Sequence, residues 1–300
     1  MTDMFAAFWL IVNVLSSVGL VFLNKALFSL YRFRFGIFLT SLHFVFTFAG
    51  LYIAVLRKTL VPRKVPIRDL IDLAVSLAGS VVLLNLSLLY NSVSFYQLTK
   101  ISQTPAVALA EIFLTGKSFT KTTLFSLILI CVGVAQATVS DVRTTMPGFL
   151  LAIGSIGFTV AYHVLVKAKT KKLQASSNQL LYSFSPLSSL LLAVFVPVME
   201  RDIFIFNFSL PSSSLIALSG FLAYFVNVSG AQVISRTSAL TFSVCGHLKT
   251  VLVLSIGLAY FDTEWTAGVV SGVMLAVVGI FMYSFRTLPK ESAAASSKKD

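Results

Sequence analysis

The residues of this sequence best suited to chemistry are two lysines in apolar surroundings. Lys100 ends the stretch Ser92-Val-Ser-Phe-Tyr-Gln-Leu-Thr-Lys100, and Lys249 lies within Thr241-Phe-Ser-Val-Cys-Gly-His-Leu-Lys-Thr250. Both stretches read Ser-x5-Lys, from Ser94 and from Ser243. A lysine at the centre of a bilayer costs about 2.5–3.5 kcal/mol on insertion scales, so such a residue marks a functional site by default. No carboxylate stands mid-segment to neutralise either one. The acidic candidate is Glu111, three turns from Lys100 on the same helical face and toward the far end of its segment. Two ammonium groups facing one cavity repel each other unless an anion binds between them. Phosphate or pyrophosphate suits that place, because lysine is a common point-charge phosphate binder. The competing reading is snorkelling to the membrane surface, which is easier for Lys100 than for Lys249.

Neighbouring residues extend the pattern. Tyr96 and Gln97 stand at i−4 and i−3 from Lys100 and share its face. Tyr96 offers a ring and a hydroxyl, and Gln97 offers an amide to a base or sugar edge; helix packing and an interhelical hydrogen bond are the plainer roles. Pro105 removes a helix hydrogen bond beside the site and is expected to kink or break the helix. Tyr224 and Asn227 are further candidates on a later helix. Asn227 is deep and polar and must find a partner, in a ligand or in another helix. His43, His163 and His247 are scattered over three segments, and His247 reads as a packing histidine. There is no HExxH, no GxSxG and no cluster of carboxylates, so neither an enzyme nor a metal or cofactor site is expected.

The elements that must position these residues are membrane spans. Charged residues make up 11% of the 300 residues and apolar ones 57%, against about 25% charged in a soluble domain. The net charge of +12 belongs to loops and does not indicate nucleic acid. Cys131 and Cys245 both lie in apolar segments and form no disulfide framework. About 20 apolar residues span a bilayer. By that measure ten helices are expected, over 5–28, 36–56, 70–90, 93–114, 122–140, 148–167, 179–199, 212–234, 238–260 and 265–285. Lys100 then lies about 11 Å and Lys249 about 17 Å along its helix, at 1.5 Å per residue.

With the N-terminus in the cytosol, the cytosolic segments collect Arg57, Lys58, Arg63, Lys64, Arg68, Lys117, Lys121, Lys167, Lys169, Lys171, Lys172, Arg236, Arg286, Lys290, Lys298 and Lys299. The opposite side holds Arg32, Arg34, Arg143 and Arg201. The bias places both termini in the cytosol. Ten helices divide as five plus five, and an odd number per half inverts the second half. The expected fold is therefore an all-α membrane protein of ten transmembrane helices, built as two inverted five-helix repeats. The repeats are 1–140 and 141–286, with a disordered cytosolic tail at 287–300. Lys100 and Lys249 fall on helices 4 and 9, equivalent positions in the two halves.

These stretches resemble the helix 4 and helix 9 signatures of the nucleotide-sugar and triose-phosphate transporter family, within the drug/metabolite transporter superfamily. Phe22-Leu-Asn-Lys25, Leu39-Thr-Ser-Leu-His43, Asn85-Leu-Ser87, Asn178-Gln-Leu-Leu-Tyr182 and Val226-Asn-Val-Ser229 carry the resemblance along nearly the whole chain. It is greatest to the branch of plant UDP-xylose and UDP-galactose/rhamnose transporters and animal members of solute carrier family 35. The resemblance implies alternating access and exchange of a cytosolic UDP-sugar for lumenal UMP, without a cofactor. By position, Lys100 and Lys249 would hold phosphates and Thr250 would be a polar contact beside them. Tyr96, Gln97, Asn227 and Tyr224 would help to recognise nucleoside or sugar. Plastid phosphate carriers of the family have arginine after the helix 9 lysine. Thr250 there, and the N-terminus without a transit extension, argue for the nucleotide-sugar branch over a phosphate or triose-phosphate exchanger. The implied membrane is that of the Golgi, in preference to ER or plastid. Gly268 and Gly272 make a GxxxG in helix 10, which permits packing or a homodimer.

Overall fold

In the computed structural model, residues 2–91, 93–116, 118–138, 144–260 and 266–286 are described. They form ten α-helices: α1 (Thr2–Leu30), α2 (Gly36–Leu56), α3 (Ile67–Tyr90), α4 (Val93–Thr115), α5 (Lys121–Thr138), α6 (Met146–Lys172), α7 (Ser177–Met199), α8 (Leu210–Arg236), α9 (Ala239–Tyr260) and α10 (Ala267–Arg286). A short 3-10 turn, Arg201–Ile205, follows α7. The tail expected at 287–300 lies outside the described residues. Six helices, α1, α2, α3, α6, α7 and α8, are long and apolar enough to cross a membrane, and α5, α9 and α10 carry shorter apolar stretches. α4, with Gln97, Lys100, Gln103 and Glu111, is in neither group. Large apolar side chains such as Leu15, Leu190 and Phe281 are more than half exposed. On these lengths and this exposed apolar surface the chain is a multi-pass membrane protein.

Local sequence sets the ends of the helices. Thr145 caps α6 by accepting from the Gly148 N–H, with Pro147 in the first turn. Ser176 and Gln179 form a reciprocal capping box at the start of α7. Lys58 and Gln174, just past α2 and α6, adopt φ of 57° and 47°, the left-handed stop that ends a helix. Pro105 does not break α4, which runs through it. The surrounding helices hold that backbone, and the local effect is that the Ile101 carbonyl loses its ordinary helical donor.

The helices pack into two cores. One takes Leu27 of α1, Leu51 of α2, Leu73 of α3, Val166 of α6, Leu180 of α7 and Val228 of α8. The other takes Val107 of α4, Ile130 of α5, Val251 of α9 and Ala276 of α10. α1 packs along α8, α3 along α6, α2 along α7 and α5 along α10, while α4 and α9 meet each other between the pairs. The α5–α10 seam is drawn close by glycines. A Cβ on Gly133 would lie 2.4 Å from the Ala276 nitrogen, and one on Gly272 would lie 2.7 Å from the Gly133 carbonyl oxygen. Gly272 thus packs on α5 within the chain, whereas a Cβ on Gly268 would meet only Thr266 Oγ1 at 3.9 Å. The GxxxG pair read in the sequence is therefore not one packing face.

Polar ties join the helices near their ends. Asn91 Oδ1 accepts from the Thr145 N–H at 2.9 Å, so the α3–α4 link is fastened to the start of α6. Glu200 accepts from the N–H groups of Ile37 and Phe38 at 2.7 and 2.8 Å, capping α2 from the end of α7. Lys169 Nζ donates to Asp69 at 2.8 Å and to Asp72 at 2.6 Å, joining α6 to α3.

Candidate functional site

The helix turn sets the azimuth of each polar residue once its helix is packed. Lys100, Ile101, Gln103 and Thr104 of α4 line a cavity of about 420 Å³ together with Phe242, Ser243, Gly246, His247, Lys249, Thr250 and Val253 of α9. Val21 of α1, Val134 of α5, and Thr159 and His163 of α6 complete its wall. Lys100 and Lys249, from two helices 149 positions apart in register, thus face one space. Each ammonium lies over an aromatic ring. Lys100 Nζ is 4.6 Å from the centroid of Tyr96, one turn earlier on α4. Lys249 Nζ is 5.2 Å from the centroid of Phe242. A ring face attracts a cation without neutralising it. The positive charge therefore remains available to an anion.

The helices that carry the lysines are joined beside the cavity. His247 Nε2 is 2.7 Å from Thr104 Oγ1, and the histidine is buried. Farther along α4, Glu111 Oε1 accepts from the Leu240 N–H at 3.3 Å at the start of α9. Thr250 Oγ1 donates to the carbonyl of Gly246 one turn back on its own helix, at 3.2 Å, and lines the cavity. Gly246 presents only backbone there, and a Cβ on it would meet no atom within 4 Å.

The other sequence candidates are distributed differently. Tyr96 does not line the cavity, but its ring lies under the Lys100 ammonium that does. Gln97 lies on α4, but its side chain is outside the described residues. Asn227 and Tyr224 are not brought to this cavity. Asn227 Nδ2 donates to Thr47 Oγ1 at 2.8 Å, between α8 and α2. Tyr224 packs on Gly50 of α2, whose Cβ would lie 2.5 Å from its ring, and sets its edge against Phe225 at 5.1 Å. Both residues therefore hold α8 to α2, as interhelical polar and aromatic contacts do. Gln103, Thr159 and His163 are cavity residues that sequence reasoning passes over. Gln103 Nε2 lies 3.4 Å from Thr159 Oγ1.

Among the described residues, no three His, Cys, Asp or Glu side chains gather as a metal ion would need. The site is a cationic, partly apolar cavity with hydroxyl, amide and imidazole groups on its walls. Such a space can bind and release a phosphorylated ligand.

Comparison with known proteins places the whole chain in a family. A family model described as the Triose-phosphate Transporter family matches residues 2–284. The chain is 34% identical over 294 residues to UDP-xylose transporter 1 of Arabidopsis thaliana, covering 96% of this chain and 86% of that protein. It is 34% identical over 280 residues to UDP-rhamnose/UDP-galactose transporter 2 of the same plant, covering 91% and 80%. A solved crystal structure, 15% identical, superposes with a TM-score of 0.72 over 91% of this chain and 97% of its own, a likeness of fold alone.

Proposed function

The chain belongs to the Triose-phosphate Transporter family, within the drug/metabolite transporter superfamily, and from that premise we propose that it is an antiporter carrying a cytosolic UDP-sugar, of the UDP-xylose or UDP-galactose class, into the Golgi lumen in exchange for UMP. The family and these relatives are transporters, not enzymes. The observation that carries the reading is the pair Lys100 and Lys249 on one cavity. A diphosphate between them offsets the repulsion of two cations that face one cavity, and each lysine supplies a point charge. Thr250 adds a hydroxyl beside Lys249, and Tyr96 holds Lys100 from below. A volume of about 420 Å³ falls within the range of about 300–1,000 Å³ typical of small-ligand sites.

Ten spans in two inverted repeats, 1–140 and 141–286, give this cavity its place. The support comes from paired positions. Aligning Lys100 with Lys249 pairs Ile101 with Thr250 and Thr104 with Val253, and all six residues line the cavity. Aligning Val18–Lys25 of α1 with Val160–Lys167 of α6 pairs Val21 with His163, which both line it as well. Packing follows the same relation: α1 with α8 corresponds to α6 with α3, and α2 with α8 to α7 with α3. A site at the interface of such repeats is where alternating access operates. The group α1, α8, α9 rocks against α3, α4, α6, and a ligand that bridges Lys100 and Lys249 lets only the loaded carrier switch. Both termini face the cytosol, as the basic segments around Arg63 and Lys169 favour.

The test is exchange by purified protein in liposomes loaded with UMP and offered labelled UDP-xylose, UDP-galactose, triose phosphate and inorganic phosphate. Uptake of a UDP-sugar that depends on internal UMP is the expected result. Uptake of triose phosphate or phosphate alone would assign the chain to the phosphate-exchanging branch instead.

A further inference from the structure

We infer that His163 is a specificity-determining residue of the cavity, hydrogen-bonding a hydroxyl or amide group of the transported ligand beyond its phosphates. The inference rests on the reading of the cavity as a nucleotide-sugar site. His163 lies on the wall that Lys100 and Lys249 share and is 8% exposed. Its Nδ1 is enclosed and has no hydrogen-bond partner. A buried ring nitrogen left unpaired is unfavourable, and a polar ligand group supplies the missing partner. The ring is also held in place. It stands edge-on to Phe242, with centroids 5.2 Å apart and planes at 87°. Phe242 is the ring beneath the Lys249 ammonium, so the imidazole is fixed relative to that cation.

Symmetry gives the position its meaning. Two lysines at equivalent places hold a diphosphate equally well in either direction. A nucleotide sugar has unlike ends, and only residues that differ between the halves can tell them apart. His163 stands where the first half has Val21, and Gln103 stands where the second half has Leu252. Thr159, one turn before His163, lines the same wall. The walls formed by α4 and α6 therefore carry polar groups, Gln103 and His163, at positions where the other half has the apolar Leu252 and Val21. A site built to hydrogen-bond a substrate group discriminates strongly against ligands that lack it.

His163→Val makes the two halves alike at this position and tests the assignment in UMP-loaded liposomes. The expected result is a KM for UDP-xylose raised about tenfold, the worth of a lost hydrogen bond, with the maximal rate kept within about twofold. His163→Asn restores a donor and an acceptor and should recover part of the loss. Repeating the measurement with external UMP separates the sources: an effect on UDP-xylose alone assigns the contact to the sugar, and an effect on both assigns it to the nucleoside. An unchanged KM for both ligands in His163→Val overturns the inference. So does a fall in maximal rate at constant KM in both variants, which would mark a purely structural histidine. If His163→Val does not fold, His163→Asn decides on the same two parameters, by a KM that rises or does not. Wild-type protein that carries no nucleotide sugar would overturn the preceding reading and this one together. Normal wild-type exchange with an indifferent His163→Val overturns this one alone.

Discussion

Replacing Lys169 by Met should destabilise the protein by about 3–5 kcal/mol, the cost of breaking a buried ion pair from one side. Lys169 is 5% exposed and donates to Asp69 and Asp72 at 2.8 and 2.6 Å. Each bond to a charged group is worth about 1.5–3 kcal/mol. After the substitution the cation that remains beside the buried Asp69, among the described residues, is Lys172, which is 71% exposed and 3.5 Å away. Asp69→Asn should cost less, about 1–2 kcal/mol, because Asp72 still pairs with Lys169. The double variant Lys169→Met/Asp69→Leu should recover part of the loss, since an apolar replacement of a whole buried pair is often neutral or better. Thermal unfolding in detergent, read by a thiol-reactive fluorophore at Cys131 and Cys245, follows this directly. At about 1.6 °C per kcal/mol, the entropy of unfolding scaled to 300 residues, Lys169→Met should melt about 5–8 °C below the wild type. A melt within about 2 °C of the wild type, or a double variant less stable than Lys169→Met, would refute the reasoning.

Two further perturbations test the packing. Gly133→Ala should cost about 1–3 kcal/mol by overpacking, because its Cβ would press on the backbone of Ala276, whereas Gly268→Ala should be neutral or stabilising; equal melting of the two variants would contradict the α5–α10 seam. Glu200→Ala should cost about 1–2 kcal/mol as a lost helix cap and Glu200→Gln less, since the amide keeps an acceptor for the α2 N–H groups. Burial pushes the Glu200 carboxyl up, although the N–H groups of Ile37, Phe38 and Gly36 pull it down. A carboxyl raised on folding contributes stability below the ordinary carboxylate range and loses it as pH climbs through the raised value. The wild-type Tm minus that of Glu200→Gln should therefore fall across that window, and a flat difference would remove the carboxyl from the account.

The lysines were legible because a charge in an apolar segment announces itself, and its distance from the segment ends gives its depth. Azimuth is not legible in this way. Tyr224 and Asn227 lie in a deep polar stretch of α8, yet their partners, Gly50 and Thr47, are on α2, a neighbour that spacing along one helix does not reveal. His163 sits among three scattered histidines until α1 and α6 are set side by side, Val18–Lys25 against Val160–Lys167. That comparison was the available signal. Glu111 reads from its helical face as the acidic candidate nearest Lys100. In the fold its carboxylate accepts from the Leu240 N–H, because the first turn of a helix has N–H groups with no acceptor in the helix itself. The glycines misled for a related reason: Gly272 and Gly133 meet across two helices, and a motif read within one helix saw only Gly268 and Gly272.

The central claim is that Lys100 and Lys249 act as a pair on one phosphorylated ligand, and the most direct measurement is UMP-dependent UDP-sugar exchange in liposomes for Lys100→Ala, Lys249→Ala and the double variant, each shown by its melt to be folded. The account predicts that each single variant abolishes exchange, that the double variant is no worse than either, and that UMP no longer raises the melting temperature of any of them. Exchange near the wild-type rate in folded Lys249→Ala would contradict it.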